Sequence, residues 1–383
     1  MTASPLQQLA FARPYLGEEE AQAAADVVRS GWIVGGPRLA EFERAFAQLC
    51  GAQQAVGTSS WTTGAFLLLR ALDIGPGDEV IVPSYTFIAT VNVISHAGAR
   101  PVFVDVDAQT WNMDPAKVEA LIGPRTKAIM PVDQLGLPCD MDAFEAIAAR
   151  HGLTLIDDAA CALGSRNRSR PVGSMGDYAV FSLHARKVVT AAEGGVIVLN
   201  DAQLAERLRV LRNQGMSLSS LERHTASPTT FETYPEIGFN FRLTDIQAAI
   251  AEVQLGKLPD ILARRAHIAS RYIEYLNDHE LLAPPVVPDG MTHNWQSFML
   301  AVRPNGPLSR NGWMEALHER GIPTRRSVMA AHVEPPYAGT AGPLPVTDHA
   351  LTHNFQLPIY PDLGDDDVDR ILESLQVITN APG

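Results

Sequence analysis

The sequence predicts an α/β protein in two parts. A large domain over residues 1–250 is built on a mostly parallel sheet, and a smaller α+β domain follows over 251–383, the two joined by a long helix. Three observations carry this expectation. Between about residues 50 and 200, short apolar runs alternate with amphipathic helical patterns, the βαβα order of a parallel sheet with crossover helices. The runs are continuous and rich in β-branched residues, as strands buried on both faces are. The chain has 383 residues, 46% of them apolar and 19% charged, enough for a large core in more than one domain.

The strands are read at DEVIVPS (78–84), RPVFVDV (100–106), TKAIMPV (126–132) and LTLIDDAA (153–160). Helices are read at 62–72, 86–98, 114–122 and 141–152. Asp114 before Pro115 marks a helix start, and Gly152 after His151 marks a stop. A further apolar run, GGVIVLN (194–200), leads to a helix over roughly 201–214. The polar stretch 215–242 has no period and is too long for a plain connector, so it is expected to cover a site or pack on a partner. A helix from Asp245 to Asn277 follows, and Pro259 inside it predicts a bend or break. The last hundred residues read as a strand at 297–304 and helices at 312–321 and 365–378. There is no internal repeat and no low-complexity segment.

The net charge of −13 comes from 30 basic and 43 acidic residues. With no Lys/Arg block to offset it, sequence-independent nucleic-acid binding is excluded, whereas an anionic small molecule in a local pocket is not. Cys50, Cys139 and Cys161 are odd in number and lack metal-ligand spacing, which argues for reduced thiols, no metal and a cytoplasmic location. The N-terminal stretch has no basic region followed by an apolar core, so no signal peptide is expected. No apolar run approaches the roughly 18 residues of a membrane span.

Lys187 lies between the apolar runs 178–181 and 196–199. A lysine between two buried strands is costly when charged and unpaired, so it either reaches solvent at the sheet edge or serves a purpose. Three neighbouring stretches suggest a purpose. Asp157 and Asp158 end a buried strand, at the edge where ligands bind open α/β sheets, and as neighbours they point opposite ways, so one can face a site. Residues 58–63 place hydroxyls where a helix begins, which suits either a phosphate or simple capping. Tyr85 or Phe87, after the next strand, can stack on a flat ring or belong to the core. An amine, a carboxylate, a phosphate cradle and an aromatic lid together are what a lysine Schiff base with pyridoxal 5′-phosphate (PLP) needs.

FSLHARKVVTAAEGG (181–195) resembles the S-F-H-x-x-K-x-[IL]-x-x-G-E-G-G motif of the DegT/DnrJ/StrS sugar aminotransferases, PLP-dependent enzymes of fold type I. GFNFRLTDIQAAIAEVQL (238–255) resembles their G-x-N-x-R-[LM]-x-[DE]-[IL]-Q-A-A, and 71–107 matches as plainly, so the likeness spans roughly residues 10 to 375. The resemblance implies a three-layer α/β/α large domain with a smaller α+β C-terminal domain. It implies that Lys187 binds the cofactor aldehyde and moves the proton, that Asp158 holds the pyridine nitrogen, that Thr62, Thr63 and Ser182 hold the phosphate, and that Phe87 stacks on the ring. Asn240 would reach the phosphate of a neighbouring subunit, which implies a homodimer with shared sites. His184, Arg325, Arg326 and His332 are candidate substrate contacts.

The activity so implied is transfer of an amino group from L-glutamate, by way of pyridoxamine 5′-phosphate, to a keto sugar, most often a nucleotide-linked 4-keto-6-deoxyhexose. Dehydratase relatives carry histidine at the lysine position, so Lys187 favours amino transfer. Three positions depart from the pattern. Cys161 stands where Gln or His touches the ring hydroxyl; PVDQLG (131–136) replaces P-V-H-x-x-G, so Asp133 or Gln134 is expected to alter a substrate contact; and Trp61 replaces a glycine, which is expected to reseat the phosphate loop. Two alternatives stay open: a transaminase of a non-nucleotide, cyclitol-type ketone, and a non-catalytic PLP-binding regulator, although no basic helix-turn-helix is visible.

Overall fold

The structure, a computed structural model, describes residues 8–225, 227, 229–304 and 306–380; the first residues of the N-terminal stretch, and positions 226 and 228 of the polar stretch, lie outside these. The first strand is β1 (Gln54–Thr58), and the expected apolar runs follow it as β2 (Glu79–Pro83), β3 (Arg100–Val104), β4 (Thr126–Ile129) and β5 (Thr154–Asp158). A ribbon of two-residue strands, β6 (Arg166–Asn167) and β7 (Arg170–Pro171), precedes β8 (Tyr178–Ser182) and β9 (Gly195–Leu199). The seven long strands form one sheet in the order β1-β9-β8-β5-β4-β2-β3. β9 is antiparallel to both of its neighbours, β8 and β1, while the other pairings are parallel. β8 and β9 pair down to Ser182 opposite Gly195, so loop 183–194, which carries Lys187, closes a hairpin at the edge where the parallel strands end.

Side chains alternate across the sheet as the pleat requires. Val196 and Val198 pack in a core shared with α2 (Pro37–Cys50), α5 (Met141–His151) and the start of the long helix α8 (Asp245–Leu276). Ile197 and Leu199 pack on the opposite face against α3 (Trp61–Ala71), α4 (Ile88–His96) and α6 (Ala202–Arg212). Three layers result, as expected. α2 and an earlier helix, α1 (Glu18–Ser30), lie in a region where the sequence reading assigned no element; both pack on α8.

One expected helix is absent, and so is one of the two outcomes expected at Pro259, the break. Residues 114–122 form two short 3₁₀ turns, Pro115–Lys117 and Glu119–Leu121, instead of a helix. Pro124 ends any helix by the preceding residue, leaving too few residues to repay nucleation. α8 runs unbroken through Pro259. An interior proline costs about 3 kcal/mol, but the buried Leu258, Ile261, Arg265 and Ile268 around it hold the helical register. Among its described residues the polar stretch 215–242 contains one six-residue helix, α7 (Ser220–Thr225).

The second sheet is antiparallel, in the order β10 (Leu282–Ala283), β12 (Phe298–Val302), β14 (Asn354–Leu357), β13 (Arg325–Arg326); β11 (Met291–Thr292) instead joins β6. Phe298, Phe355 and Trp313 fill its core between α9 (Arg310–Glu319), α11 (Asp365–Thr379) and the end of α8. The chain then returns to the large sheet before α10 (Pro345–His353): Thr86 N–H donates to Met329 O at 3.1 Å and Ala331 N–H to Ser84 O at 2.8 Å. Among the described residues no helix is long and apolar enough to cross a membrane.

Candidate active site

The ends of β1, β2, β5 and β8 meet at one edge of the sheet, and each delivers a residue singled out from sequence. On β5 the pleat separates the two aspartates. Leu155 faces the α2/α5 core and Ile156 the α3/α4 core, so Asp157 falls on the first side and Asp158 on the second. Asp158 is 3% exposed. Its Oδ2 accepts the Thr90 hydroxyl at 2.7 Å and its Oδ1 the Ala160 N–H at 3.2 Å. Burial raises its pKa to about 6, against the pull of those donors and of the Lys187 charge. Thr90 was not singled out from sequence; a threonine inside an apolar helix gives no signal of its own.

Lys187 projects from the β8–β9 loop, where its own N–H is held by His184 O at 2.8 Å. Its Nζ donates to Cys161 Sγ at 3.0 Å, just past the end of β5. Cys161 therefore sits against the lysine itself, and of the three thiols it alone is not buried. Ser182 ends β8, with its Oγ accepting His184 N–H at 3.3 Å.

The helix start after β1 is a capping box. Ser60 Oγ accepts Thr63 N–H at 3.1 Å, and Thr63 Oγ1 accepts Ser60 N–H at 3.0 Å. Thr63's hydroxyl is thus engaged in the cap, whereas Thr62's has no partner among the described residues. Trp61 turns into the core, 6% exposed, and its Nε1 donates to Val180 O at 3.0 Å. A Cβ on Gly195 would lie 2.4 Å from Ser60 O and 2.6 Å from Trp61 N, so only glycine lets β9 pass this turn.

After β2, Tyr85 is fully buried and donates to Ser327 Oγ at 2.8 Å, which makes it a core residue. Phe87, the N-cap of α4, is 63% exposed and is the aromatic that faces open space. Asp133 and Gln134, expected to alter a substrate contact, are both buried. Asp133 Oδ1 accepts Cys139 N–H at 2.7 Å, and Gln134 Nε2 donates to Tyr85 O.

The candidate substrate residues are more scattered. His184 is in the lysine loop, its Nδ1 accepting Arg186 N–H at 3.3 Å and its Nε2 3.7 Å from Glu193. Both ring nitrogens of His332 are engaged, Nδ1 with Ser84 Oγ at 2.7 Å and Nε2 with Asp348 Oδ1 at 3.0 Å, so this residue braces the return of the small sheet to β2. Arg325 and Arg326 are exposed on β13, and Arg325 lies over the Phe11 ring at 5.2 Å. Neither arginine contacts the lysine loop among the described residues. Asn240 is exposed; its backbone bridges to Asn213, and the next residue's carbonyl, Phe241 O, accepts Ser59 N–H at 2.9 Å.

The chain matches the DegT/DnrJ/EryC1/StrS aminotransferase family over residues 14–376. Among solved structures it is similar to DesV from S. venezuelae, 34% identical with a TM-score of 0.88, covering 98% of this chain and 100% of that one. It is similar to DesI, solved in the presence of its TDP-sugar product, at 34% identity and a TM-score of 0.88, covering 98% of this chain and 94% of that one. It is also similar to Spr1654 from Streptococcus pneumoniae, whose PMP form is 28% identical with a TM-score of 0.91, covering 97% of this chain and 99% of that one; PLP and apo forms of the same protein match as well.

Proposed function

The chain belongs to the DegT/DnrJ/EryC1/StrS aminotransferase family and is a PLP-dependent aminotransferase; on that premise we propose that it moves an amino group from L-glutamate onto a nucleotide-linked 4-keto-6-deoxyhexose. The observation that carries the reading is the placement of Lys187 and Asp158 at adjoining strand ends, with the lysine charge acting on the buried carboxylate.

The residues suit the cofactor. Lys187 Nζ has only a thiol for a partner among the described residues, so it is available for an aldehyde. Asp158 is a buried carboxylate with no cation in direct contact, which suits a ring nitrogen that must keep its proton. Phe87 offers an uncovered ring. Thr62, Ser182 and the first turn of α3 offer hydroxyls and N–H groups for a phosphate. When bound, PLP supplies an electron sink for the pair left as a C–H bond gives up its proton. The chain supplies the rest: Lys187 carries that proton between carbons, Asp158 holds the ring nitrogen protonated, and Phe87 keeps water from one ring face.

The acceptor class is supported by DesI, solved in the presence of its TDP-sugar product: a nucleotide-linked sugar is the kind of molecule this chain would aminate. His184 lies nearest the lysine among the proposed substrate contacts; Arg325, Arg326 and His332 would act through the small domain. We read 1–250 as the large, cofactor-bearing domain and 251–383 as the small C-terminal domain. A homodimer with shared sites is part of the proposal. What supports it is the exposure of Phe231 (80%) and Ile237 (92%) in the stretch that leads to Asn240, an apolar surface that a second copy would cover. The free thiols suit a reducing cytoplasm.

The test is direct. Protein loaded with PLP should lose its visible absorbance band on adding L-glutamate and regain it with one of the dTDP-, UDP- or GDP-linked 4-keto sugars. Recovery with a cyclitol-type ketone alone would select the non-nucleotide alternative, and no response to any amino donor would defeat the reading. Sedimentation at micromolar concentration should give a dimer, and Asn240→Ala should weaken PLP binding; a fully active monomer rules out shared sites.

A further inference from the structure

Asp158 is buried, and its only hydroxyl donor among the described residues is Thr90, at 2.7 Å from Oδ2. Thr90 is also 3.0 Å from Thr86 Oγ1. A threonine hydroxyl has one proton and an ionised carboxylate has none. Thr90 therefore gives its proton to Asp158, and Thr86 must be the donor to Thr90. The chain of bonds is directed: Thr86 to Thr90 to Asp158. Its three members are 1%, 2% and 3% exposed, so water does not compete for these bonds. Thr86 is itself held in place, since its N–H donates to Met329 O at 3.1 Å on the segment returning from the small sheet.

We propose that Thr90 is a positioning residue of the transamination site: backed by Thr86, it holds the Asp158 carboxylate in its ionised form and aims it at the cofactor ring nitrogen. This rests on the functional reading above. Burial alone disfavours the charge on Asp158, and a hydrogen bond donated to the charged form is the kind of contact that restores it. The other groups that act on Asp158 are Lys187 from the β8–β9 loop, the Trp61 indole from α3, Asp133 from the segment after β4, and Asp157, its neighbour on β5 that points to the other face of the sheet. Lys187 favours the ionised form, and the two aspartates oppose it where they carry charge. The Thr90 hydrogen bond already supports the charge more than the Ala160 N–H or Lys187 does, and it remains when the lysine amine is engaged by the cofactor.

The experiment compares Thr90→Val, which keeps the shape and removes the hydroxyl, with Thr90→Ser, which keeps the hydroxyl. PLP affinity is read by absorbance titration, and the Asp158 carboxyl is followed by carbon NMR in the cofactor-free protein. The pH profile of kcat/KM is recorded in the loaded enzyme. Thr90→Val should weaken PLP binding about tenfold or more, the loss expected of one hydrogen bond to a charged group. It should also move both the carboxyl midpoint and the acid limb of kcat/KM to higher pH, while Thr90→Ser stays within about twofold of wild type in affinity. Should Thr90→Val fold poorly, Thr86→Val removes the backing donor and should shift the same readouts in the same direction by less. If Thr90→Val matches wild type, or if Thr90→Ser is as impaired as Thr90→Val, the assignment is overturned and the functional reading is untouched. A wild-type protein that binds no PLP overturns both.

Discussion

Lys187 Nζ and Cys161 Sγ are 3.0 Å apart, although one stands on the loop after β8 and the other just past the end of β5. The thiol therefore shares the lysine's space at the opening of the candidate site. Cys50 and Cys139 are buried, and burial pushes both thiols well above the usual range, which makes them inert. Treating the folded protein with iodoacetamide should label Cys161 first, with PLP slowing the reaction. Peptide mass spectrometry reads the order; labelling of Cys50 or Cys139 ahead of Cys161 contradicts it.

Asp133 predicts how stability depends on pH. Burial raises its pKa to about 7, with the charge of Asp158 adding to the effect. Below the unfolded value near 3.8 both states hold the proton and there is no cost. Between there and about 7 only the unfolded state ionises, so stability falls as pH rises, and above 7 the whole cost remains. Asp133→Asn can still accept the Cys139 N–H without carrying charge. It should be stabilising at pH 8 by on the order of 1–3 kcal/mol and nearly neutral at pH 4, measured by urea unfolding of the cofactor-free protein. An equal effect at both pH values sinks the argument.

Glu43 and Arg212 form a buried ion pair that also ties down β1: Glu43 Oε1 accepts Gly57 N–H at 2.8 Å, and Arg212 Nη1 donates to Gly57 O at 2.6 Å. Glu43→Ala strands the guanidinium in the core beside the strand that leads to Ser59. The expected loss is about 3–5 kcal/mol, read from the denaturant midpoint. Glu43→Ala/Arg212→Met should recover part of it, because the uncompensated charge is gone.

Gly195→Ala drives a Cβ into the Ser60 carbonyl and the Trp61 amide, both backbone atoms that cannot rotate away. Strain of about 1–3 kcal/mol should shift the first turn of α3, so phosphate affinity should fall more than overall stability. PLP titration alongside thermal unfolding separates the two. A variant destabilised with unchanged PLP affinity would show that the turn does not serve the phosphate.

Local signals carried much of the site. The four strands read at 78–160 are present because each is a short β-branched run, and α5 stops at Gly152, whose φ of 62° suits glycine. Thr90 escaped notice because its role depends on α4 lying over β5, a packing that no local pattern encodes. The bracing of His332 was not legible, because a histidine on a loop shows nothing of Ser84 and Asp348, which are 248 and 16 residues away and engage both of its nitrogens.

The sequence by itself determined the α/β class, the lysine between buried strands and the motifs that identify the family, since all of these are periodicities or short spacings. Tertiary structure decided that β9 runs against its neighbours and that α8 continues through Pro259, and it supplied the packing behind two assignments the motifs had only implied: Asp158 and not Asp157 faces α3 and α4, and Tyr85 is core while Phe87 is open. The physical reason is common to these cases. Strand direction, pleat side and burial are set by which distant segments pack together, and the free energy of that packing outweighs the local preferences that a sequence displays.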